Sequence, residues 1–311
     1  MAILHFCFNA IIPEFLIIYL GFFLKKVRIL ADGFSKSVTD LIFSVSLPTL
    51  LFLSLSRSQL QLSNTLGFMG YGVLGTLAMC TLAGVFVPFI AKPVNKGAFL
   101  QASFRSNFTV LGLTLSLNLF GPKAVPTLAL LFSVVVPLNN ILAILMLTHY
   151  GQHRLTLKTF VKGVLLNPLV LACLLGISAS ELQLHLPFIV EKAATTVAAL
   201  TLPLALLAIG SSLNFNRLRR NWHLTALATA IKLVVGPLIL VSGAVALGFR
   251  GLELGSLFLL FATPTAVASY IMAKAMGSNS RLSGNIVAVT TLVSVLTLSI
   301  GVAVLKAKGL V

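Results

Sequence analysis

The sequence contains few charged residues and very few acidic ones. Only 9% of its 311 residues are charged, and six Asp and Glu stand against 22 Lys and Arg. A soluble globular domain has about 25% charged residues, so this composition excludes that class. With 58% hydrophobic residues and a mean hydropathy of +1.06, the chain is predicted to be a polytopic membrane protein.

Several catalytic and binding motifs are also absent from the sequence. It has no GxxxxGK[ST] nucleotide-binding loop, so the sequence does not support ATP-driven transport by this chain. It also has no HExxH, so the sequence does not support a membrane metalloprotease. No pair of Asp residues lies in an apolar run, which weakens a sodium/proton antiporter. Cys7, Cys80 and Cys173 lie in apolar stretches and indicate packing rather than disulfides or metal binding. We therefore expect that the protein is not an enzyme and that it has no metal site and no cofactor.

Ten apolar runs are long enough to cross the membrane as helices, which takes about 20 residues each. They cover residues 3–24, 38–56, 66–91, 98–120, 124–148, 162–180, 193–213, 223–249, 253–276 and 283–305. The first run has no basic region before it and is too long for a signal peptide, so it is predicted to be the first span. The predicted fold class is an all-α polytopic membrane protein.

The positions of the basic residues predict the orientation in the membrane. Most Lys and Arg lie in loops that follow odd-numbered spans, whereas the other loops hold only Arg57, Lys123, Lys192 and Arg250. The positive-inside rule places the basic loops in the cytoplasm and both termini outside. We therefore expect a multi-pass protein of the inner (cytoplasmic) membrane, with the lipid bilayer and not nucleic acid as the partner of its positive charge.

A proline pattern indicates an internal repeat. Two pairs of prolines are separated by 155 residues, Pro13 with Pro168 and Pro48 with Pro203. The same offset aligns Thr109 in the fourth span with Pro264 in the ninth. Repeats of five spans enter the membrane from opposite sides, and inverted repeats with interrupted helices are typical of transporters. We predict one repeat over residues 1–150 and an inverted copy over 151–311.

Two polar segments, FRSNFTVLG at 104–112 and LLFATPTAV at 259–267, interrupt the fourth and ninth spans. Polar groups in hydrocarbon are costly unless paired, so we interpret them as a binding site. If both helices break there, two half-helix N-termini with unpaired N–H groups face the centre, which suits an anion. Arg105 either adds a full positive charge or extends to the cytoplasmic interface. The candidate binding residues are Arg105, Ser106, Asn107, Thr109, Thr263, Pro264 and Thr265.

Four further polar residues in apolar spans are candidates for ion coupling or for lining a cavity. Glu14 either carries a proton or bonds a neighbouring helix, and Lys232 either neutralises an anion or pairs with Glu14. Asn139 and Asn140 follow Pro137 in the fifth span and are candidates to line the same cavity.

Taken in order, these segments resemble the auxin efflux carrier family, which includes bacterial carriers of organic acids such as malonate. The resemblance covers the whole chain and is most specific in NFTVLGLTLSLNLFG, with Asn107, Gly112 and Gly121, and in PTAVASYIMAKAMG, with Pro264 and Lys274. NPLVLACLLG and LPLALLAIGSSL resemble the sixth and seventh helices of the family.

The resemblance implies ten helices in two inverted repeats, with interrupted helices four and nine crossing at the substrate site. It implies a scaffold of spans one, two, six and seven, a moving transport domain built from the remainder, and a homodimer. The chain departs from the plant carriers, which have Pro-Asn where Ser106 precedes Asn107 here, and whose pattern lacks Arg105. These differences weigh against auxin and are compatible with another organic anion.

The sequence therefore predicts a secondary active transporter of a small organic anion, a carboxylate, that works by alternating access. Two alternatives stay open. One is a sodium-coupled carrier of the bile-acid symporter type, in which Asn and Thr oxygens bind sodium. The other is a membrane sensor that keeps the fold and binds ligand without carrying it.

We expect Asn107→Ala to abolish transport while leaving the protein folded, since the amide is predicted to bind the substrate carboxylate. The measurement is uptake or export in proteoliposomes that contain a variant with a normal size-exclusion profile. Unchanged flux would remove Asn107 from the site.

Overall fold

The structure is a computed structural model that describes residues 2–56, 62–90, 92–150, 168–184, 186–213 and 221–311. These residues form helices and connecting turns, with no strand among them. The first helices are α1 (Ala2–Lys26), α2 (Phe34–Ser56), α3 (Leu62–Gly84), α4 (Pro93–Phe104), α5 (Phe108–Phe120) and α6 (Ala124–Tyr150). They are followed by α7 (Pro168–Glu181), α8 (Phe188–Ser212), α9 (Trp222–Ala246), α10 (Gly251–Ala262), α11 (Val267–Ala275) and α12 (Ser280–Ala307).

Six segments of the described structure are long and apolar enough to cross a membrane, which supports a multi-pass protein. They are α2, α6, α8, α9, α12 and the segment Leu66–Phe89 that includes most of α3. The fourth and ninth predicted spans are each divided into two shorter helices, α4 with α5 and α10 with α11. The count of ten spans, the inverted repeat and the two domains stay predictions. Residues 162–167 of the sixth predicted span lie outside the described residues.

Helix α12 has the apolar outside and polar inside that a membrane protein requires. Leu292, Leu296 and Ile300, spaced four residues apart, are more than half exposed, and a helix surface of this kind suits contact with lipid. The hydroxyl groups of Thr290 and Thr291 are buried and donate to carbonyl oxygens of their own helix. Hydroxyls paired in this way are tolerated inside a bundle.

Helices α1 and α8 approach each other at backbone distance because both have glycine at the contact. A Cβ added to Gly210 would clash with the carbonyl oxygen of Ile18 and would lie 2.9 Å from the nitrogen of Phe22. A Cβ added to Gly21 would clash in the same way with the backbone of Leu207. Small residues allow such close packing of helices in membranes. The two helices therefore form a rigid pair.

We expect Gly210→Ala to destabilise the protein by about 1–3 kcal/mol, because overpacking forces the two backbones apart. Gly70→Ala in α3 is the matched control, since a Cβ there meets nothing within 4 Å. That substitution should be neutral or stabilise by up to about 1 kcal/mol through helix propensity. Thermal unfolding in detergent measures both variants. Equal stability of the two would contradict the backbone contact.

Candidate functional site

Helices α4 and α10 both end in the protein interior, at extended residues. Arg105 follows α4 with φ −76° and ψ 107°, and Thr263 follows α10 with φ −65° and ψ 148°. At Thr263 the local sequence explains the break, because the residue before a proline is biased towards extended conformations. No proline follows Arg105, so contacts with the other segment have to hold that break.

The two extended segments pair with each other in antiparallel fashion around Ser106 and Thr265. The nitrogen of Asn107 donates to the carbonyl of Pro264 at 2.7 Å, and the nitrogen of Ala266 donates to the carbonyl of Arg105 at 3.1 Å. A local two-fold axis relates these two bonds, as in any antiparallel pair. The rotation places Ser106 on Thr265 and one backbone bond on the other. The equivalent positions at the crossing are therefore 159 residues apart, four more than the offset of the prolines.

Two hydroxyl groups add side-chain bonds between the segments in both directions. The Oγ1 of Thr265 donates to the carbonyl of Ala102 at 2.6 Å, in the last turn of α4, and the Oγ of Ser106 donates to the carbonyl of Leu260, in the last turn of α10. The last carbonyls of a helix have no partner within it. Each broken helix is thus capped by the hydroxyl of the other segment.

Lys232 reinforces the crossing from outside the two segments. It lies in a π-helical turn of α9, is fully buried, and its Nζ donates to the Oγ of Ser106 at 2.8 Å and the carbonyl of Phe261 at 2.6 Å. Phe261 is near the C-terminus of α10, where the helix dipole favours a cation. Lys232 thereby connects both segments. The predicted pairing of Lys232 with Glu14 lies outside the described residues, because the structure describes the backbone of Glu14 in α1 but not its side chain.

A cavity of about 340 Å³ adjoins the crossing. Six of the predicted site residues line it, namely Arg105, Ser106, Asn107, Thr109, Asn139 and Asn140. Thr263, Pro264, Thr265 and Lys232 are not among the lining residues that the structure describes. Thr265 and Lys232 hold the crossing together, and the carbonyl of Pro264 accepts its backbone bond.

The first turns of two half-helices face this cavity. Asn107, Phe108 and Thr109 line it at the start of α5, and Val267 and Ala268 line it at the start of α11. The first N–H groups of a helix have no intrahelical partner and carry a partial positive charge. The cavity therefore has two backbone sites that favour a negative group.

Arg105 points into the cavity region and not to an end of the span. Its Nη2 donates to the Oδ1 of Asn140 at 2.8 Å, and its Nη1 donates to the Sδ of Met272 at 2.7 Å. Both acceptors are uncharged, and thioether sulfur is a weak acceptor. Among the described residues no carboxylate forms an ion pair with Arg105. The ion pair found in the described part of the chain joins Lys25 to Asp32. The guanidinium therefore has no carboxylate within ion-pair distance among the described residues, and the acidic residue that shares its cavity is Asp40.

Three polar residues of α2 that sequence reasoning did not select also line the cavity, and they are Thr39, Asp40 and Ser44. Ser44 belongs to a π-helical turn at Ile42–Ser46, and such turns occur often at functional sites. Asp40 is one of only six acidic residues in the chain, and this scarcity was the feature of the sequence that could have indicated it as a candidate. Asp40 is exposed on the cavity wall.

We expect Thr265→Val to lower the free energy of unfolding by about 1–3 kcal/mol, because it leaves the buried carbonyl of Ala102 without its donor. Thr263→Val is the matched control. The Oγ1 of Thr263 is buried with no partner in the described structure, so its removal should be neutral or stabilising. Chemical denaturation in detergent compares the two variants, and an equal loss would contradict the capping role of Thr265.

Comparison with known proteins agrees with a transporter. Residues 151–302 match a family model described as "Membrane transport protein". Over 305 residues the chain is 21% identical to an "Uncharacterized transporter" of Methanocaldococcus jannaschii, with 94% of this chain and 96% of the relative covered. It is 23% identical over 297 residues to a "Putative malonate transporter" of Rhizobium meliloti, with 93% and 92% covered. The second half of the chain is therefore similar to the membrane transport protein family, and both relatives, which align with more than nine-tenths of the chain, are named as transporters.

Proposed function

We propose that the protein is a secondary active transporter that carries a small organic anion, a carboxylate, across the cytoplasmic membrane by alternating access. The observation that carries the proposal is the meeting of Arg105 with two half-helix N-termini in one cavity. A charged side chain and two partial positive charges in a cavity of low dielectric attract a carboxylate strongly.

The charge balance around Arg105 supports an anionic substrate. Arg105 is partly buried, where an unpaired charge is less well solvated than in water, and its acceptors in the described structure are neutral. Its guanidinium has five N–H donors, and two of them are used by Asn140 and Met272. A carboxylate can accept the remaining donors in a bidentate arrangement. The substrate would then provide the missing counter-charge.

Neutral polar side chains complete the proposed site. Within the described residues, the side chains of Asn107 and Thr109 form no hydrogen bond with the protein, and the Oδ1 of Asn139 is buried without a partner. Groups of this kind in an apolar cavity are available to a ligand. Asn107 and Thr109 are proposed to bind the carboxylate beside the N-terminus of α5. Thr263 and Thr265, also predicted to bind substrate, are proposed to act through the geometry of the crossing.

The walls of the cavity suit alternating access. Ala205, Ala208 and Ile209 of α8 form one wall, and the crossing segments form the other. Because α8 packs tightly on α1 through glycines, this side is the proposed scaffold, and the crossing belongs to the proposed moving domain. Movement of one against the other would open the site to each side of the membrane in turn. A homodimer is proposed from the resemblance alone.

The relative named as a malonate transporter makes a short dicarboxylate the first substrate to test. The cavity volume of about 340 Å³ lies at the small end of ligand pockets, which hold about 300–1,000 Å³. At the crossing the sodium-coupled alternative would require oxygen ligands for a cation. Here the ammonium group of Lys232 is bonded to Ser106 Oγ and Phe261 O, and its positive charge at the crossing disfavours a sodium ion beside it.

We expect purified protein in proteoliposomes to carry radiolabelled malonate, or another carboxylate of a panel, with little dependence on a sodium gradient. Arg105→Gln should lower flux by about 10- to 100-fold, because a hydrogen bond to a charged group contributes about 1.5–3 kcal/mol. Met272→Leu is the control, since it keeps the charge of Arg105 and removes only the weak sulfur acceptor that Arg105 shares with Gln101.

The outcomes separate the three candidate functions. Ligand binding without flux would favour a sensor, and strict dependence on a sodium gradient would favour the sodium-coupled carrier. Flux that is unchanged in Arg105→Gln would contradict the anion site. Failure of every carboxylate in the panel to bind or move would overturn the proposal as a whole.

A further inference from the structure

A second cavity of about 250 Å³ lies along the same wall of the protein as the first. Ser212, Val267, Tyr270, Lys274, Ser280, Arg281, Gly284, Asn285 and Val287 line it. Val267 also lines the cavity at the crossing, so the two cavities meet at this residue. We call the second cavity the basic vestibule.

Two helix faces run from the crossing cavity into the basic vestibule. Along α11 the lining passes from Val267 through Tyr270 to Lys274, a spacing of three and four residues that keeps one face of a helix. At 1.5 Å per residue the Cα atoms of Val267 and Lys274 are about 10 Å apart along the axis. Along α8 the lining passes from Ala205 and Ala208 to Ser212, again on one face. Both cavities are thus lined in part by the same faces of α8 and α11, and α12 provides most of the remaining wall of the second cavity.

The charge of the basic vestibule has a single sign. Lys274 on α11 and Arg281 on α12 are exposed cations of its wall, and none of its described lining residues is acidic. A cleft lined by one sign of charge concentrates ions of the opposite sign and raises their rate of association by about 10- to 1,000-fold. The basic vestibule therefore favours anions at the entrance to a cavity that itself contains Arg105.

A glycine allows the ring of Tyr270 to pack closely against α12 in the wall of the basic vestibule. A Cβ added to Gly284 of α12 would lie 3.2 Å from the Cδ2 of Tyr270, closer than usual contact. The ring of Tyr270 therefore lies directly over Gly284, midway between Val267 and Lys274 along α11. The ring of Tyr270 therefore forms part of the wall between the two cavities, along the path that an anion would take.

We propose that the basic vestibule is an entry site for the transported anion, in which Lys274 and Arg281 hold a carboxylate before it moves along α8 and α11 to Arg105. The proposal rests on the proposed function for the nature of the ligand. Lys274 lies in the last turn of the ninth predicted span and Arg281 follows that span, so the positive-inside prediction places this entry on the cytoplasmic side. The rival explanation is that both residues serve only as topology signals.

A side-specific kinetic comparison distinguishes these explanations. Malonate flux is measured in right-side-out and inside-out membrane vesicles for wild type and the double variant Lys274→Gln, Arg281→Gln. We expect the variant to raise the KM on the cytoplasmic side by about tenfold at low salt, with the KM on the other side unchanged. The salt dependence of the cytoplasmic KM should also become weaker, because salt screens the charges that the variant lacks.

A matched double variant controls for the loss of two positive charges. Lys123→Gln with Lys192→Gln removes the same charge from loops predicted on the opposite side, and both residues are exposed. It should leave the cytoplasmic KM and its salt dependence as in wild type. The charge-conserving pair Lys274→Arg, Arg281→Lys should keep the wild-type salt dependence. Equal effects of the two neutralising variants would overturn the entry site.

A second measurement requires no transported substrate. Ser280→Cys is made in a chain whose native cysteines are replaced by alanine, and it is treated with membrane-impermeant anionic and cationic methanethiosulfonates. The thiolate attacks the reagent to form a mixed disulfide and release methanesulfinate. We expect the anionic reagent to react faster, from the cytoplasmic side only. The preference should disappear when Lys274→Gln and Arg281→Gln are added.

These readouts separate failure of the entry site from failure of the carrier. A preference for the anionic reagent without any carboxylate flux would retain the electropositive basic vestibule and contradict the proposed transport. Carboxylate flux with wild-type kinetics in the neutralised variant would retain the carrier and contradict the entry site. Reaction of Ser280→Cys from the outer side would contradict the proposed orientation.

Discussion

A backbone N–H or carbonyl group in hydrocarbon that lacks a hydrogen-bond partner costs several kcal/mol, and a helix broken inside a membrane exposes several of them at once. The arrangement at Ser106 and Thr265 depends on this constraint. Each broken helix obtains its missing partners from the other, through two backbone bonds and two hydroxyl groups. Neither break satisfies these groups alone, so the two segments have to lie against each other.

The same constraint divides the buried positive charges into two roles. Lys232 is bonded to Ser106 and to the end of α10, where its charge complements the negative end of the helix dipole. Arg105 is on the cavity side of the crossing and has only neutral acceptors among the described residues. One cation therefore stabilises the geometry, and the other is available to a ligand.

Sequence reasoning located the interruptions of the fourth and ninth predicted spans better than the role of each residue at them. The proline offset of 155 indicated that the fourth and ninth spans correspond, whereas the residues that pair at the crossing are 159 apart. Thr263 and Thr265 flank the same proline and are indistinguishable in sequence. In the structure one hydroxyl caps α4 and the other has no partner among the described residues. Asp40 was missed because it lies in another helix, far from both polar segments in sequence.

By itself the sequence determined that the chain is a multi-pass membrane protein and where its polar interruptions lie, because these follow from composition and from local propensity. Only the tertiary structure decided which polar groups pair at the crossing and which face the cavity. Hydrogen bonding selects partners by distance and direction in space, and the partners here are separated by more than 120 residues along the chain. Pro264 predicted a break locally; the break at Ser106 exists because Leu260, Pro264 and Lys232 provide its partners.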